Sequence, residues 1–140
     1  MKTKTIIIIL LSSLILSCGL YNTKPAKQVV DNYFTELETN GTSGLLEFYS
    51  PVFFKVTPKE EWSAMLEYGH GLLGNHIESK LLGWEIETTD GPLGRGTYYT
   101  LNYHSEYSEY DAEETINLFK ESDSDAILIT GHHIESGAFE

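Results

Sequence analysis

The chain has 140 residues, 41% of them hydrophobic, which suffices for one domain with an apolar interior and is too few for two. It carries 21 acidic residues against 9 basic ones, a formal charge of −12 at pH 7, and such a surface repels phosphate backbones, which excludes nucleic acid as a partner. A single cysteine excludes a disulfide framework within the chain.

At the start of the chain, Lys2 and Lys4 form a cationic end, and Ile6 to Leu11 with Leu14 to Leu16 form an interrupted apolar run. Ile15-Leu16-Ser17-Cys18 closes the run with a small residue before the only cysteine. A positive end, a short apolar stretch and a small-residue cleavage site are the parts of an export signal, and the run is shorter than the roughly 20 residues of a membrane-spanning helix. An uncleaved anchor and an ordinary secretory signal with a chance cysteine are the competing readings. Residues Ile15 to Cys18 resemble the lipobox of bacterial lipoproteins, with Ile15 and Leu16 in place of a commoner Leu-Ala or Leu-Ser pair. The resemblance implies cleavage between Ser17 and Cys18 and acylation at the Cys18 thiol. It also implies a protein held by lipid in the bacterial envelope, at the periplasmic face of the outer membrane or the cell surface rather than the inner membrane. Two or more acyl chains anchor stably where one binds only marginally.

On that reading residues 1–17 are the signal, 18–25 a lipidated tether and 26–140 a single domain. Loss of Lys2 and Lys4 leaves 7 basic residues against 21 acidic ones, a formal charge of −14. The acids are spread along the chain, as on a well-solvated surface; the alternative is a docking face for a basic protein.

Pro25 suits a first helical turn. Ala26, Val29, Val30, Tyr33, Phe34 and Leu37 recur at three- and four-residue steps, which predicts a helix that Asn40-Gly41 ends. Ser43 to Tyr49 fits a second, short helix before Pro51. Thr57-Pro58-Lys59-Glu60 has the pattern of a capping box, followed by Trp62, Met65, Leu66, Leu72 and Leu73 on a third helix that Gly69, Gly71 and Gly74 weaken or end early.

After Asn75 the period becomes two, which predicts a sheet. Leu82, Trp84 and Ile86 form the apolar face of the first strand, and both tryptophans, Trp62 and Trp84, are expected to be buried. Asp90 to Gly94 is a turn. A second strand begins near Gly96, with Tyr99, Leu101, Tyr103 and Tyr107 on one side and His104 on the other. Thr115 to Lys120 is the third strand, with Ile116 and Leu118 inward, and residues 122–125 turn into a fourth. There Ile127 and Ile129 have one parity and Ile134 the other, with Gly131 between them. A bulge at Gly131 brings Ile127, Ile129, His132 and Ile134 to one face and turns His133 away; without it the two histidines simply split across the sheet. An inward His132 either satisfies a tyrosine in the core or lines a pocket.

The expected architecture is α+β: three N-terminal helices packed on a curved four-stranded antiparallel sheet. With Tyr49, Phe53-Phe54, Trp62, Leu73-Gly74, the aromatic strand from Gly94 to Tyr107, Glu114, and Ile129 to Ile134, it resembles the cone-shaped nuclear transport factor 2-like superfamily, in its bacterial secreted and lipoprotein branch. His132 stands where that branch commonly has an aromatic residue. The resemblance implies a pocket at the wide end of the cone and implies no reaction, since one fold serves many functions.

The chemistry in the sequence is sparse. The five histidines have no metal-binding spacing and no cofactor motif occurs, so neither metal nor cofactor is expected. Gly69-His70-Gly71 reads as a helix cap. In an isomerase-type site Tyr99, Tyr103 and His132 fit only an oxyanion-stabilising role, and no inward aspartate marks a base at a strand end. The expected function is therefore a non-enzymatic binding or protein-interaction module whose ligand the sequence does not name, with Tyr99, Tyr103 and His132 as candidate pocket residues. Its expected partners are the membrane through Cys18 and either a basic protein or a small apolar ligand. The alternative is an immunity-type lipoprotein that blocks a basic toxin.

Overall fold

The computed structural model describes residues 22–140; the expected export signal, with Ser17 and Cys18, and the first part of the expected tether lie outside the described residues. Helix α1, Lys24–Asn40, carries Pro25 in its first turn and buries Ala26, Val30, Tyr33 and Phe34. Gly41 ends it at φ 68°, donating its N–H to the Leu37 carbonyl. The helix expected over 43–49 is instead a 3-10 helix, Gly41–Phe48, which buries Leu45. A further short helix, α2 (Phe53–Val56), buries Phe53.

Helix α3, Lys59–Leu73, starts without the expected capping box. Pro58 holds extended backbone angles and takes the cap position itself, so the helix starts one residue later and Thr57 makes no side-chain cap. Its buried stripe is Trp62, Leu66, His70 and Leu73. Met65 falls about 60° to one side of Trp62 at about 100° per residue and is exposed, contrary to expectation. Gly69 and Gly71 leave the helix intact, and Gly74 at φ 87° stops it.

Strands β1 (His76–Gly91), β2 (Gly94–Tyr107), β3 (Asp111–Glu121) and β4 (Ile127–Glu135) form one antiparallel sheet in chain order. The chain is thus an α+β domain with its helices on one sheet face, and the core joins Val30, Tyr33, Leu45, Trp62 and Leu66 to Leu101, Ile116, Leu118 and Ile129.

The expected face of β1 needs correction. A register shift between Leu81 and Gly83 sets Leu81 opposite Tyr103 and packs it against the core, while Leu82 is exposed. Trp84 pairs with Leu101 yet is 50% exposed, because β1 is an edge strand and none of its residues is fully covered. On β4, Leu118 pairs with Ile129 and Asn117 with Gly131, so one extra residue is inserted at Thr130. That bulge reverses the parity of everything after it. Ile127 and Ile129 are buried, the His132 side chain is fully covered, and His133 is exposed.

Candidate functional site

Five segments deliver polar side chains to one buried line. The bulge on β4 turns His132 inward, and the parity of Ile116 and Leu118 on β3 carries Glu114 to the same face. Tyr49 is held beside β4 because the backbone N–H of Ser50 donates to the Ile129 carbonyl at 2.8 Å. Tyr33 comes from the buried stripe of α1, and Tyr107 from the end of β2.

The His132 Nε2 lies 2.7 Å from Glu114 Oε2, and both side chains are entirely buried. Tyr107 donates its hydroxyl to Glu114 Oε1 at 2.6 Å. The other ring nitrogen of His132, Nδ1, is 2.8 Å from the Tyr49 hydroxyl, which in turn is 3.4 Å from that of Tyr33. These heavy-atom positions suit two proton arrangements. With a neutral imidazole, Tyr33 donates to Tyr49, Tyr49 to Nδ1, and Nε2–H to Glu114. With an imidazolium, Nδ1–H donates to Tyr49 and Tyr49 to Tyr33.

Burial alone pushes the Glu114 carboxyl up, but the hydrogen bond and charge of His132, with hydrogen bonds from Tyr107 and Ser105, outweigh it and hold the group below its ordinary range. Burial raises Tyr33, Tyr49 and Tyr107, so all three remain protonated donors. No inward aspartate is expected at a strand end, and the buried acid of this line is a glutamate, Glu114. It was within reach of the sequence, because stepping back by two from Leu118 and Ile116 lands on it.

Next to this line is a cavity of about 320 Å³, lined by Trp62, Met65, Leu66, Tyr68, His70, His132, Ile134 and Phe139 among others. Its walls are mostly apolar, and Met65, Tyr68 and Phe139, all exposed, stand at its rim. The C-terminal 3-10 turn, Gly137–Phe139, lies over α3, with the Phe139 ring against Gly69. The volume is at the lower end of the range for small-ligand sites, about 300–1,000 Å³.

His70 is not a helix cap through its side chain. Its carbonyl accepts the terminal N–H of Gly74 at 3.0 Å, while its ring is buried with neither nitrogen hydrogen-bonded. Burial lowers its pKa to about 4; the attraction of Glu114 opposes the shift, and repulsion by His132 and His76 adds to it. A second cavity of about 420 Å³, lined by Leu37, Glu38, Thr42, Asn75 and His76 among others, also has His70 in its wall.

Of the three candidate pocket residues, only His132 reaches the cavity, and both its nitrogens are engaged by Glu114 and Tyr49. Tyr99 and Tyr103 are buried on β2 and line none of the cavity wall. The Tyr103 hydroxyl has no hydrogen-bond partner. A reaction at His132 would require it to shed Tyr49, whereas the ring nitrogens of His70, buried as they are, have no partner to shed. Among the described residues no group of three or more metal-binding side chains is assembled, and no helix is long and apolar enough to cross a membrane. No family model matches the sequence, and no curated protein or solved structure is significantly similar to it.

Proposed function

We propose that the chain is a lipid-anchored envelope protein whose domain binds a small, mainly apolar ligand without transforming it. The observation that carries this reading is the cavity between α3, β4 and the C-terminal turn: about 320 Å³, apolar in its walls, with apolar residues at its rim. The buried Glu114, His132 and Tyr49 line has no unoccupied reactive atom, which favours binding over catalysis. Anchoring rests on the lipobox-like Ile15-Leu16-Ser17-Cys18. Helices on one face of a four-stranded antiparallel sheet support assignment to the nuclear transport factor 2-like cone.

The test is native mass spectrometry of protein extracted from membranes in mild detergent. The expected result is a bound small molecule that is absent from an Ile134→Trp variant, whose larger side chain fills the cavity. A protein found empty, yet forming a salt-sensitive one-to-one complex with a basic protein, would instead support the immunity-type alternative, which rests on the acidic charge.

A further inference from the structure

We infer that the ligand of this cavity is a small neutral molecule with a ring and a hydroxyl group, and that His70 is the residue that recognises the hydroxyl. The inference rests on the binding-module reading above and specifies its chemistry.

Among the described residues, four buried side-chain atoms lack a hydrogen-bond partner: Trp62 Nε1, both ring nitrogens of His70, and the Tyr103 hydroxyl. Three of the four belong to residues in the wall of this one cavity. Buried polar atoms are as a rule satisfied, so a cluster of orphans beside an open space marks the place where a partner arrives. The Trp62 N–H acts on the Tyr49 oxygen: it lowers the Tyr49 pKa although it falls short of hydrogen-bond geometry. His70 has no such neighbour. The residue is 9% exposed, and both ring nitrogens are orphaned.

The chemistry of the orphan selects the ligand. A neutral imidazole presents one donor and one acceptor, and a hydroxyl can complement either, so it is matched whichever tautomer is present. An anion is disfavoured because no lysine or arginine lines the cavity and the Glu114 carboxylate lies just behind His132. A cation is disfavoured because the wall offers no carboxylate of its own. The rings of Trp62, Tyr68 and Phe139 provide edges and faces for a cyclic body.

The experiment uses the full chain in detergent, with methionine carrying a 13C methyl group. The only methionines are Met1 and Met65, and Met65 lines the cavity, so its methyl resonance reports binding at the site itself. Three probes of one shape are titrated: 4-ethylphenol, ethylbenzene and 4-ethylbenzoate. Each is measured on the wild type, on His70→Phe, and on His70→Leu as the second variant. Comparing the same probe between proteins cancels its partition into the detergent.

The expected result is that 4-ethylphenol loses about tenfold in affinity in the variants, the size of one good hydrogen bond, while ethylbenzene is unchanged or binds better. The benzoate should bind the wild type more weakly than either. If both neutral probes shift Met65 and neither depends on His70, the hydroxyl assignment is overturned while the binding reading stands. If no probe moves Met65, both fall. If both variants fail to fold, the imidazole is satisfied within the fold, and the inference is again overturned.

Discussion

Replacing His70 with phenylalanine should flatten the acid side of the stability profile. In the folded chain burial holds this ring at a pKa of about 4, with Glu114 pulling against the shift and His132 and His76 adding to it. In the unfolded chain it returns to the ordinary value of about 6.5. A base whose folded pKa is depressed keeps its full stability above the unfolded value. As the pH falls from about 6.5 to about 4, the unfolded state takes up a proton that the folded state refuses, and stability drops. At about 1.4 kcal/mol per tenfold the gap amounts to about 3 kcal/mol, and with His70 only 9% exposed solvent screening removes little of it. The assay is urea denaturation followed by circular dichroism at about pH 7.5 and about pH 4, on wild type and His70→Phe in parallel. Carboxylates that titrate in both proteins cancel in the difference, which should be about 3 kcal/mol more loss for the wild type. Parallel losses would show that the native ring is paired or hydrated, and would remove the orphaned imidazole from the argument.

Three other outcomes are expected. A metabolically supplied fatty-acid label should appear on the wild type and be lost in Cys18→Ala, as gel fluorography and mass measurement will show; an unlabelled wild type held in membranes at full length would mean an uncleaved anchor. Trp62→Ala should cost about 3–5 kcal/mol, whereas Trp84→Ala, at a half-exposed site, should cost only about 1–2 kcal/mol, both read from urea midpoints. Glu114→Leu alone should cost about 3–5 kcal/mol because it strands His132 and Tyr107, and adding His132→Phe should recover a large part of that loss; strictly additive losses in this double-mutant cycle would contradict the coupled pair.

The periodic segments of the chain were legible before any coordinates: the apolar stripe of α1, the four strands, and the parity break at Gly131 that turns His132 inward. Legibility failed where tertiary context overrides a local pattern. Leu82 and Trp84 have the alternation of a buried face, but their strand lies at the edge of the sheet and a bulge resets its phase. Thr57 has the sequence of a cap, but the backbone of Pro58 takes that position. His70 was read through its glycine neighbours, although its spacing of eight from Trp62, with Leu66 between, sets it on the buried stripe. Glu114 is visible as the opening of β3, but its charge hides its inward placement, since buried acids are rare enough that parity is easily disbelieved. The long-range meeting of Tyr33, Tyr49, Tyr107, Glu114 and His132 carries no local signal, because five separate segments contribute to it.

The outer edge of β1 has one further implication, for neighbouring copies of the protein. A 16-residue border strand with exposed Ile77, Leu82 and Trp84 would ordinarily invite another chain to add on through its unpaired backbone groups. Here two register shifts, between His76 and Glu78 and between Leu81 and Gly83, interrupt the regular spacing of those groups, and Glu78, Lys80, Glu85 and Glu87 place charge along the same strand. At the opposite border the Thr130 insertion does similar work, and Ser50 already occupies the Ile129 carbonyl. The sheet is thus guarded on both flanks against lateral polymerisation.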